Sequence, residues 1–531
     1  MATRYETSVT IDRFTGIDES YGAHNAPLSV AAKAENCLTE QGALRPAAGY
    51  SAIYPALAAP IVTLCTFYRR YHEVEGERRV LVAATGTALY AITEGASAWK
   101  PLMTTGLIGG GRWSWVTYEE TNTDTGTVQD VLILSSAIDG MVVVHGETLT
   151  AEIKAITLLG LAANGTVTRT PIKFGLIERH AERIWGAGVA GEPDNLYYSR
   201  PFNPFDFNLV YMTSDGLGQT TTPNGNEVLL EESGGIIQVP TWDGDKFVAL
   251  KRFGAHLLAL KERSAHYVRG IAAGEFVQSE AYGSDGAFAP RALATDGAAA
   301  YYLSDRGLGL YDGDTAQLLD MDRLGSVFRN LGACYADASC AAVCRHILYM
   351  SLPVLTEEHV TTTTGGVSVT RPVEPTKNNR LIEYDTRRRT YMIRTGIFAD
   401  ALLSHGGRLL FTSGDNPSQV YEMSGKTYGG APIPVKWVTP WQDLGGKNVT
   451  KSAFVVYLTG LVCQAAQKFT IGIETEKRLK SKTILATPTF KRTRFPIGNS
   501  GRRFRLVLEV QSEADWSLSG GVQIDMELDE D

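Results

Sequence analysis

A repeated β-hairpin constrains the fold of this 531-residue chain more than any other feature of its sequence. An apolar strand, a short polar turn and a second apolar strand recur, with turns such as Thr85-Gly86, Asp139-Gly140 and Arg306-Gly307. Apolar residues alternate with a period of two, and no segment has sustained helical periodicity. Because an isolated hairpin is marginal in water, the repeated units must bury their faces against one another.

The spacing of the hairpins predicts a β-propeller. The turns at Gly86 and Gly140 are 54 residues apart, and those at Arg263 and Gly307 are 44 apart. Repeats of about 40 to 50 residues are typical of propeller blades. We therefore expect an all-β chain with a propeller of about six or seven blades over residues 51–428. A large β-sandwich is the alternative interpretation.

Several segments fall outside the repeat. Residues 214–226 and 357–379 are rich in turn-forming residues and are predicted to be inserted loops or hairpin arms. Residues 1–50 form an extended segment with no complete hairpin of its own, which must add to a sheet, either in the first blade or in a neighbouring subunit. Gly429 to Pro434 resembles a linker, and at least five strand-like segments in residues 431–531 predict a C-terminal β-sandwich.

The charge distribution separates the C-terminal region from the rest. Residues 1–430 hold 36 Lys+Arg and 47 Asp+Glu, whereas residues 431–531 hold 14 and 11, which gives balances of −11 and +3. Between Lys468 and Arg505 stand eleven basic residues and two acidic ones. Such a surface suits an acidic protein or passing DNA, although a solvated loop face is the alternative. The candidate interface residues are Lys477, Arg478, Lys480, Lys482, Lys491, Arg492, Arg494, Arg502 and Arg503.

No motif in the sequence predicts catalysis, a cofactor or a metal. Phosphate-binding, zinc-protease and nucleophile-elbow motifs are absent. Asp243 and Asp245 lack the later ligands of a calcium loop and are better explained by hairpin-turn chemistry. Cys334, Cys340 and Cys344 do not have zinc spacing and are predicted to be small core residues. The cations Lys251, Arg252 and Lys261 to Arg263 flank strands and are expected to be solvated.

Three regions of the sequence resemble the tail-nozzle, or tail-stabilisation, proteins of short-tailed bacteriophages. The first contains Phe14 to Asp18, Ala34 to Cys37, Gly42 to Pro46 and Gly49-Tyr50; the second contains Asn195 to Ser199, Asn203 to Phe207, Lys251 to Phe253 and Leu257 to Tyr267; the third is Thr439 to Gly445. The first differs from the family pattern Gly-x-Leu-x-x-Arg-x-Gly, because Arg45 directly follows Leu44 and the closing glycine is delayed to Gly49.

The resemblance implies a virion structural protein of the phage tail, assembled in the host cytoplasm and without catalytic residues. In that family the subunits form a hexameric ring that continues the DNA conduit below the portal and docks onto an adaptor, or gatekeeper, ring. Further expected contacts are tail fibres and, transiently, the passing genome. A secretory signal and a membrane anchor are not expected, because Met1 to Asp12 lacks an apolar core.

Two other classes of function remain open from the sequence. One is a propeller enzyme that degrades glycans, such as a tail depolymerase. The other is a cytoplasmic propeller that serves as an interaction platform.

Overall fold

The protein is described by a computed structural model that covers residues 4–22, 26–109, 111–121, 126–161, 167–213, 219–220, 228–241, 243–283, 285–319, 322–356, 359–364, 367–444, 446, 448–489 and 493–530. Over these residues it is almost entirely β, which confirms the predicted fold class. Helices are limited to one α-helix, α1 (Gly325–Phe328), and two 3-10 turns, Glu75–Glu77 and Ala333–Ala338. No helix in the described ranges has the length and apolar character needed to cross a membrane.

The strands begin with a run of short elements and then form successive four-stranded meanders. The N-terminal strands are β1 (Arg4–Ile11), β2 (Lys33–Glu35), β3 (Cys37–Glu40), β4 (Ala43–Pro46) and β5 (Ser51–Ala52). Blade 1 contains β6 (Ile61–Tyr68), β7 (Arg79–Thr85), β8 (Leu89–Thr93) and β9 (Lys100–Met103). Blade 2 contains β10 (Ser114–Thr121), β11 (Val128–Ser136), β12 (Gly140–His145) and β13 (Ala151–Lys154), and a separate hairpin, β14 (Ile156–Leu161) and β15 (Val167–Ile172), follows it.

Blade 3 and blade 4 continue the same plan. Blade 3 contains β16 (Leu176–His180), β17 (Arg183–Ala187), β18 (Asn195–Tyr198) and, after a small inserted sheet of β19 (Tyr211–Met212), β20 (Gln219–Thr220) and β21 (Val228–Leu229), the strand β22 (Gly235–Gln238). The inserted sheet includes part of predicted insertion 214–226, most of which lies outside the described residues. Blade 4 contains β23 (Phe247–Phe253), β24 (His256–Lys261), β25 (Ala265–Arg269) and β26 (Val277–Glu280).

The last three blades complete a ring of seven. Blade 5 contains β27 (Leu293–Thr295), β28 (Ala300–Ser304), β29 (Gly307–Tyr311) and β30 (Ala316–Leu319). Blade 6 contains β31 (Cys340–Cys344), β32 (Ile347–Leu352), β35 (Arg380–Asp385) and β36 (Thr390–Arg394), and the predicted insertion 357–379 forms the hairpin β33 (His359–Thr364) and β34 (Val367–Pro372). Blade 7 contains β37 (Ala399–His405), β38 (Arg408–Ser413) and β39 (Asn416–Glu422), and β5 is its outer strand.

Apolar layers between adjacent blades hold the ring together. Leu132 of blade 2 packs in one buried cluster with Val82 of blade 1, and Leu403 of blade 7 packs in another with Leu81 of the same strand β7. Alternate residues of β7 therefore face opposite neighbours, as the period of two requires. The ring closes where β5 pairs with β39, with Ala52 opposite Tyr421. An N-terminal strand thus completes the last blade.

The N-terminal segment differs from the prediction in two respects. It contains a complete hairpin of β3 and β4, because Gln41 and Gly42 both adopt positive φ angles of 52° and 82°, as a two-residue hairpin turn requires. Its strands also add to blades 6 and 7 and to the C-terminal region rather than to the first blade. Strand β2 lies between β36 of blade 6 and the C-terminal strand β40 (Ile433–Val438).

The C-terminal region is a two-layer sandwich whose larger sheet is continuous with the propeller. Its remaining strands are β41 (Val449–Leu458), β42 (Leu461–Cys463), β43 (Gln467–Thr475), β44 (Leu479–Ala486), β45 (Thr493–Gly501), β46 (Phe504–Ser512), β47 (Trp516–Leu518) and β48 (Val522–Glu530). One nine-stranded sheet has the order β31-β32-β35-β36-β2-β40-β46-β43-β44. The facing sheet has the order β1-β48-β41-β45, and a third has the order β3-β4-β47-β42.

The segment predicted as a linker is a tight turn. Tyr428 and Ala431 exchange backbone hydrogen bonds of 2.8 and 3.0 Å across Gly429 and Gly430, whose φ angles are 57° and 99°. Strand β40 begins two residues later. The glycines therefore reverse the chain instead of separating two mobile parts.

Candidate functional site

The innermost strands of all seven blades line an axial channel of about 870 Å³. These strands are β6, β10, β16, β23, β27, β31 and β37. Neighbouring inner strands are linked by side chains as well as by packing. The hydroxyl of Ser114 donates to the carbonyl of Ile177 and accepts from its N–H, both at 3.0 Å. This contact fixes the register of blade 2 against blade 3.

Two arginines lie at the end of the channel where the inner strands begin. Arg291, just before blade 5, donates from Nη1 to the carbonyl of Val62 in blade 1 at 3.4 Å and from Nη2 to the carbonyl of Ala338 at 3.2 Å. Arg112, just before blade 2, donates to the carbonyl of Asp337, which precedes blade 6. Both guanidinium groups therefore reach across this end of the channel to blades on its other side.

The opposite end of the channel carries three more cations. The ammonium group of Lys251 lies 3.1 Å from Oε2 of Glu178. Arg179 lies over the ring of Tyr118, with its Cζ atom 4.9 Å from the ring centroid, and forms an ion pair with Glu182. Arg252 is exposed and makes no ion pair with another described residue.

The channel cations show where the sequence-based expectations succeeded and failed. Arg252 is exposed as predicted, but Lys251 faces the channel and is paired. Lys261 was expected to be solvated and is instead completely buried, because its ammonium group donates to Asp194 and to the carbonyl of Val239, both at 2.7 Å. Arg112 and Arg291 were not identified from sequence. Their only sequence signal is a position shortly before the first strand of a blade.

The remaining candidate residues lie in turns or in the buried core. Asp243 accepts from Arg263 at 2.8 Å, and Asp245 accepts from the hydroxyl of Ser264 at 3.0 Å, which is turn chemistry. Cys340 and Cys344 are buried as predicted, whereas Cys334 is exposed because it lies in a 3-10 turn before blade 6. Within the described part of the chain, no three His, Cys, Asp or Glu side chains are grouped as metal ligands.

The predicted basic residues lie on one open side of the C-terminal sandwich, which we call the basic edge. It comprises the edge strands β44 and β45, one from each sheet, and the two turns beside them. Lys480 on β44 donates to the carbonyl of Gly498 on β45, and Arg478 donates to the side chain of Asn499 at 3.5 Å. These contacts join residues 478–480 and residues 498–499, which belong to different sheets, into one surface.

The turns of the basic edge are held together by Glu476. Its carboxylate accepts the backbone N–H groups of Arg502 at 2.7 Å and Arg503 at 3.1 Å. Lys477, Lys482 and Arg494 are exposed and make no ion pair with any residue in the described ranges. Seven of the nine predicted interface residues therefore lie on this surface. Lys491 and Arg492 lie outside the described residues.

Comparisons with known proteins find similar solved structures but no matching family. No family model and no curated protein matches the chain. Among solved structures, the Neurospora crassa Pan2 WD40 domain is 12% identical with a TM-score of 0.34, over 74% of this chain and 98% of that one. An exo-β-1,3-galactanase from Phanerochaete chrysosporium is 7% identical with a TM-score of 0.24, over 91% and 99% of the two chains. A Bombyx mori GH32 β-fructofuranosidase is 10% identical with a TM-score of 0.22, over 90% and 93%.

Proposed function

We propose that this chain is a virion structural protein, a nozzle subunit that assembles into a closed ring at the end of a short phage tail. The observation that carries the proposal is the basic edge. Both sheets of the sandwich end on the same side in an edge strand, β44 and β45, and no further described strand pairs with either edge. An exposed edge strand is a ready surface for pairing with another chain. Repetition of one such heterologous contact generates a ring when the rotation closes.

Charge complementarity supports contact between copies of the chain. The basic edge belongs to a region with a balance of +3, whereas residues 1–430 have a balance of −11. In a head-to-tail ring, the basic edge of one subunit can face the acidic propeller of the next. The same excess of acid on the propeller would keep a passing genome from adhering to the wall of the conduit. The adaptor ring and tail fibres are the further partners of this proposal.

The junction between propeller and sandwich supports a role as a rigid building block. Asn36, in a segment that carries the resemblance to the nozzle family, donates to the carbonyl of Pro434 at 2.8 Å. The hydroxyl of Tyr428 donates to Oδ1 of Asn36 at 2.8 Å. These hydrogen bonds join the N-terminal segment to the turn between the two domains, so the subunit would move as one unit under the load of packaged DNA.

The channel chemistry favours this proposal over a glycan-degrading enzyme. Glycoside hydrolysis ordinarily needs two carboxyl groups that flank the bond to be cleaved. Among the described residues that line the channel, Glu178 is the single carboxylate, and it is paired with Lys251. Among the described lining residues, Glu178 therefore has no second carboxyl group with which to share the acid and base roles.

Oligomeric state and turnover assays on the purified chain test the proposal. We expect light scattering at low salt to give a mass of about six chains and electron microscopy to show a ring, with dissociation as salt increases because screening weakens charge contacts. Incubation with capsular and exopolysaccharides should release no reducing ends. A monomer at every salt and protein concentration would contradict the ring, and hydrolysis lost on Glu178→Gln substitution would favour the enzyme.

A further inference from the structure

The wall of the axial channel has a charge opposite to that of the whole protein. Five cations and one carboxylate, Glu178, line the cavity, while the full chain has a net charge of −8. The five cations are Arg112, Arg179, Lys251, Arg252 and Arg291. Because low-dielectric walls focus the field inside a cleft, this arrangement attracts anions into the channel.

The two arginines that cross the channel make no ion pair with a described carboxylate. Arg112 and Arg291 donate to backbone carbonyl groups, which are neutral. Asp400 acts electrostatically on Arg291 and is not one of the residues that line the cavity. Burial raises the pKa of Asp400, although Arg291 and Arg112 act in the opposite direction.

The opposite end of the channel has three cations and two acidic partners among the described residues. Glu178 pairs with Lys251, and Glu182 pairs with Arg179. Arg252 has no acidic partner among the described residues and is exposed. One positive charge thus remains after both ion pairs are counted. Arg252 also lowers the pKa of the nearby His180, after the larger effect of burial, so that this histidine stays neutral near pH 7.

Each end of the channel has a buried donor that lacks an acceptor. The Nε atoms of Arg179 and Arg291 are both inaccessible to solvent and have no hydrogen-bond partner in the described structure. A buried donor without an acceptor is costly, and such groups call for an explanation. A small movement of either side chain toward an anion in the channel would give its Nε an acceptor oxygen.

We infer that the axial channel of the propeller binds a small anion that bears two or more phosphate groups. A cavity of about 870 Å³ is within the range of small-molecule sites. Guanidinium groups match phosphate oxygens in geometry as well as charge, and two or more phosphates offer oxygens to more than one of the five cations. The inference concerns a single propeller and does not depend on ring formation.

Calorimetric titration of the full-length chain with inorganic tripolyphosphate tests this site. We expect saturable binding of one anion per chain that weakens as salt increases. Thr117 is exposed on the channel wall, so Thr117→Glu adds a negative charge there without removing a cation. This variant should bind at least about tenfold more weakly, whereas Thr117→Gln, which has a similar size and no charge, should bind within about twofold of the wild type.

Two further variants separate the channel from the outer surface. Arg252→Gln should weaken binding about fivefold or more, while Lys100→Gln, on the outer strand of blade 1, should have no effect. Circular dichroism shows whether each variant folds. If Thr117→Glu does not fold, Arg252→Gln alone tests the inference. Absence of binding by the wild type, equal weakening by Lys100→Gln, or an unchanged affinity in Thr117→Glu would overturn the inference. So would tighter binding of a single-stranded oligonucleotide that tripolyphosphate cannot displace.

Discussion

Nη2 of Arg394 lies 2.8 Å from Oε1 of Glu383, and both side chains are almost completely buried, at 2% and 3% exposure. The two residues occupy neighbouring strands of blade 6, and Nη1 of Arg394 also donates to the carbonyl of Ala48 at 2.5 Å. One guanidinium group therefore joins a propeller blade to the N-terminal segment. Because β2 continues the same sheet toward the sandwich, this ion pair lies at the junction of all three parts of the chain.

We predict that Arg394→Met destabilises the protein by about 3 to 5 kcal/mol, because it leaves Glu383 as an unpaired buried charge. Urea unfolding followed by tryptophan fluorescence measures this change. The matched control is Arg45→Met, which breaks the exposed 2.7 Å pair with Glu40 and should cost at most about 1 kcal/mol. Equal effects of the two substitutions would show that the buried pair has no special role.

Gly49 provides a second test of the junction. A Cβ atom at this position would lie 2.0 Å from the carbonyl oxygen of Thr427, so any side chain must displace backbone. The N–H of Gly49 also donates to the carbonyl of Gly425 at 2.8 Å, just before β5 closes blade 7. We expect Gly49→Ala to lower the free energy of unfolding by about 1 to 3 kcal/mol, as overpacking does.

Gly86 is the control for that substitution. A Cβ atom there meets nothing within 4 Å, and Gly86 lies in the blade 1 turn with no left-handed φ requirement. Gly86→Ala should therefore change stability by no more than about 0.5 kcal/mol. Urea unfolding of the two variants side by side gives the comparison, and a Gly49→Ala variant as stable as wild type would refute the proposed close approach.

Local patterns predicted the blades, but not the connections between distant parts of the chain. The hairpins β7–β8, β11–β12 and β28–β29 could be predicted because their apolar alternation and turn residues are adjacent in sequence. The insertion of β2 between β36 and β40 could not, because three residues at positions 33–35 pair with strands about 360 and 400 residues away.

The candidate sites follow the same division. The basic edge was predictable because its residues are close in sequence and have one sign of charge. The channel arginines were not, since Arg112 and Arg291 come together only when the ring closes. Lys261 was assigned to solvent for a related reason. Its partner Asp194 belongs to the preceding blade, and no local sequence pattern predicts that contact.

The buried imidazole of His405 should lower the free energy of unfolding in acid. Its Nδ1 atom lies 2.9 Å from the hydroxyl of Thr66, and burial, with Arg408 and Arg79 nearby, lowers its pKa to about 4 while Glu94 acts in the opposite direction. An unfolded histidine has a pKa of about 6.5, so between pH 6.5 and 4 the unfolded chain binds the additional proton. Stability is therefore retained above about pH 6.5 and falls as the pH decreases toward 4.

We expect His405→Gln, which can still hydrogen-bond to Thr66, to remove about 1 to 3 kcal/mol of the difference in unfolding free energy between pH 7 and pH 4.5. Urea unfolding at the two pH values measures that difference. A residual slope should persist, because burial, followed by Arg252, lowers the pKa of His180 to about 4 as well. An unchanged difference in the variant would show that His405 is protonated equally in both states.

The basic edge yields the prediction that bears most directly on assembly. Four of its cations are exposed, and reversing their charge should remove little from the fold: Lys477, Arg478, Lys482 and Arg494. Each exposed contact contributes only about 0 to 1 kcal/mol, but a ring engages all four in every subunit. If the chain is the proposed nozzle subunit, the quadruple Glu variant should keep the wild-type unfolding free energy within about 1 kcal/mol and yet remain monomeric in light scattering, and it should fail to attach to the rest of the tail.

A second quadruple variant controls for the change in net charge. It reverses four exposed cations on the propeller, Lys100, Arg169, Arg387 and Arg388. Both variants lower the net charge by eight, so a general effect of charge repulsion would act on them equally. If position matters, only the basic-edge variant loses the ring, and its phage particles release their genome early. Complete particles that retain their genome with the basic edge reversed would mean that this surface is a solvated face, and that the subunits contact one another elsewhere.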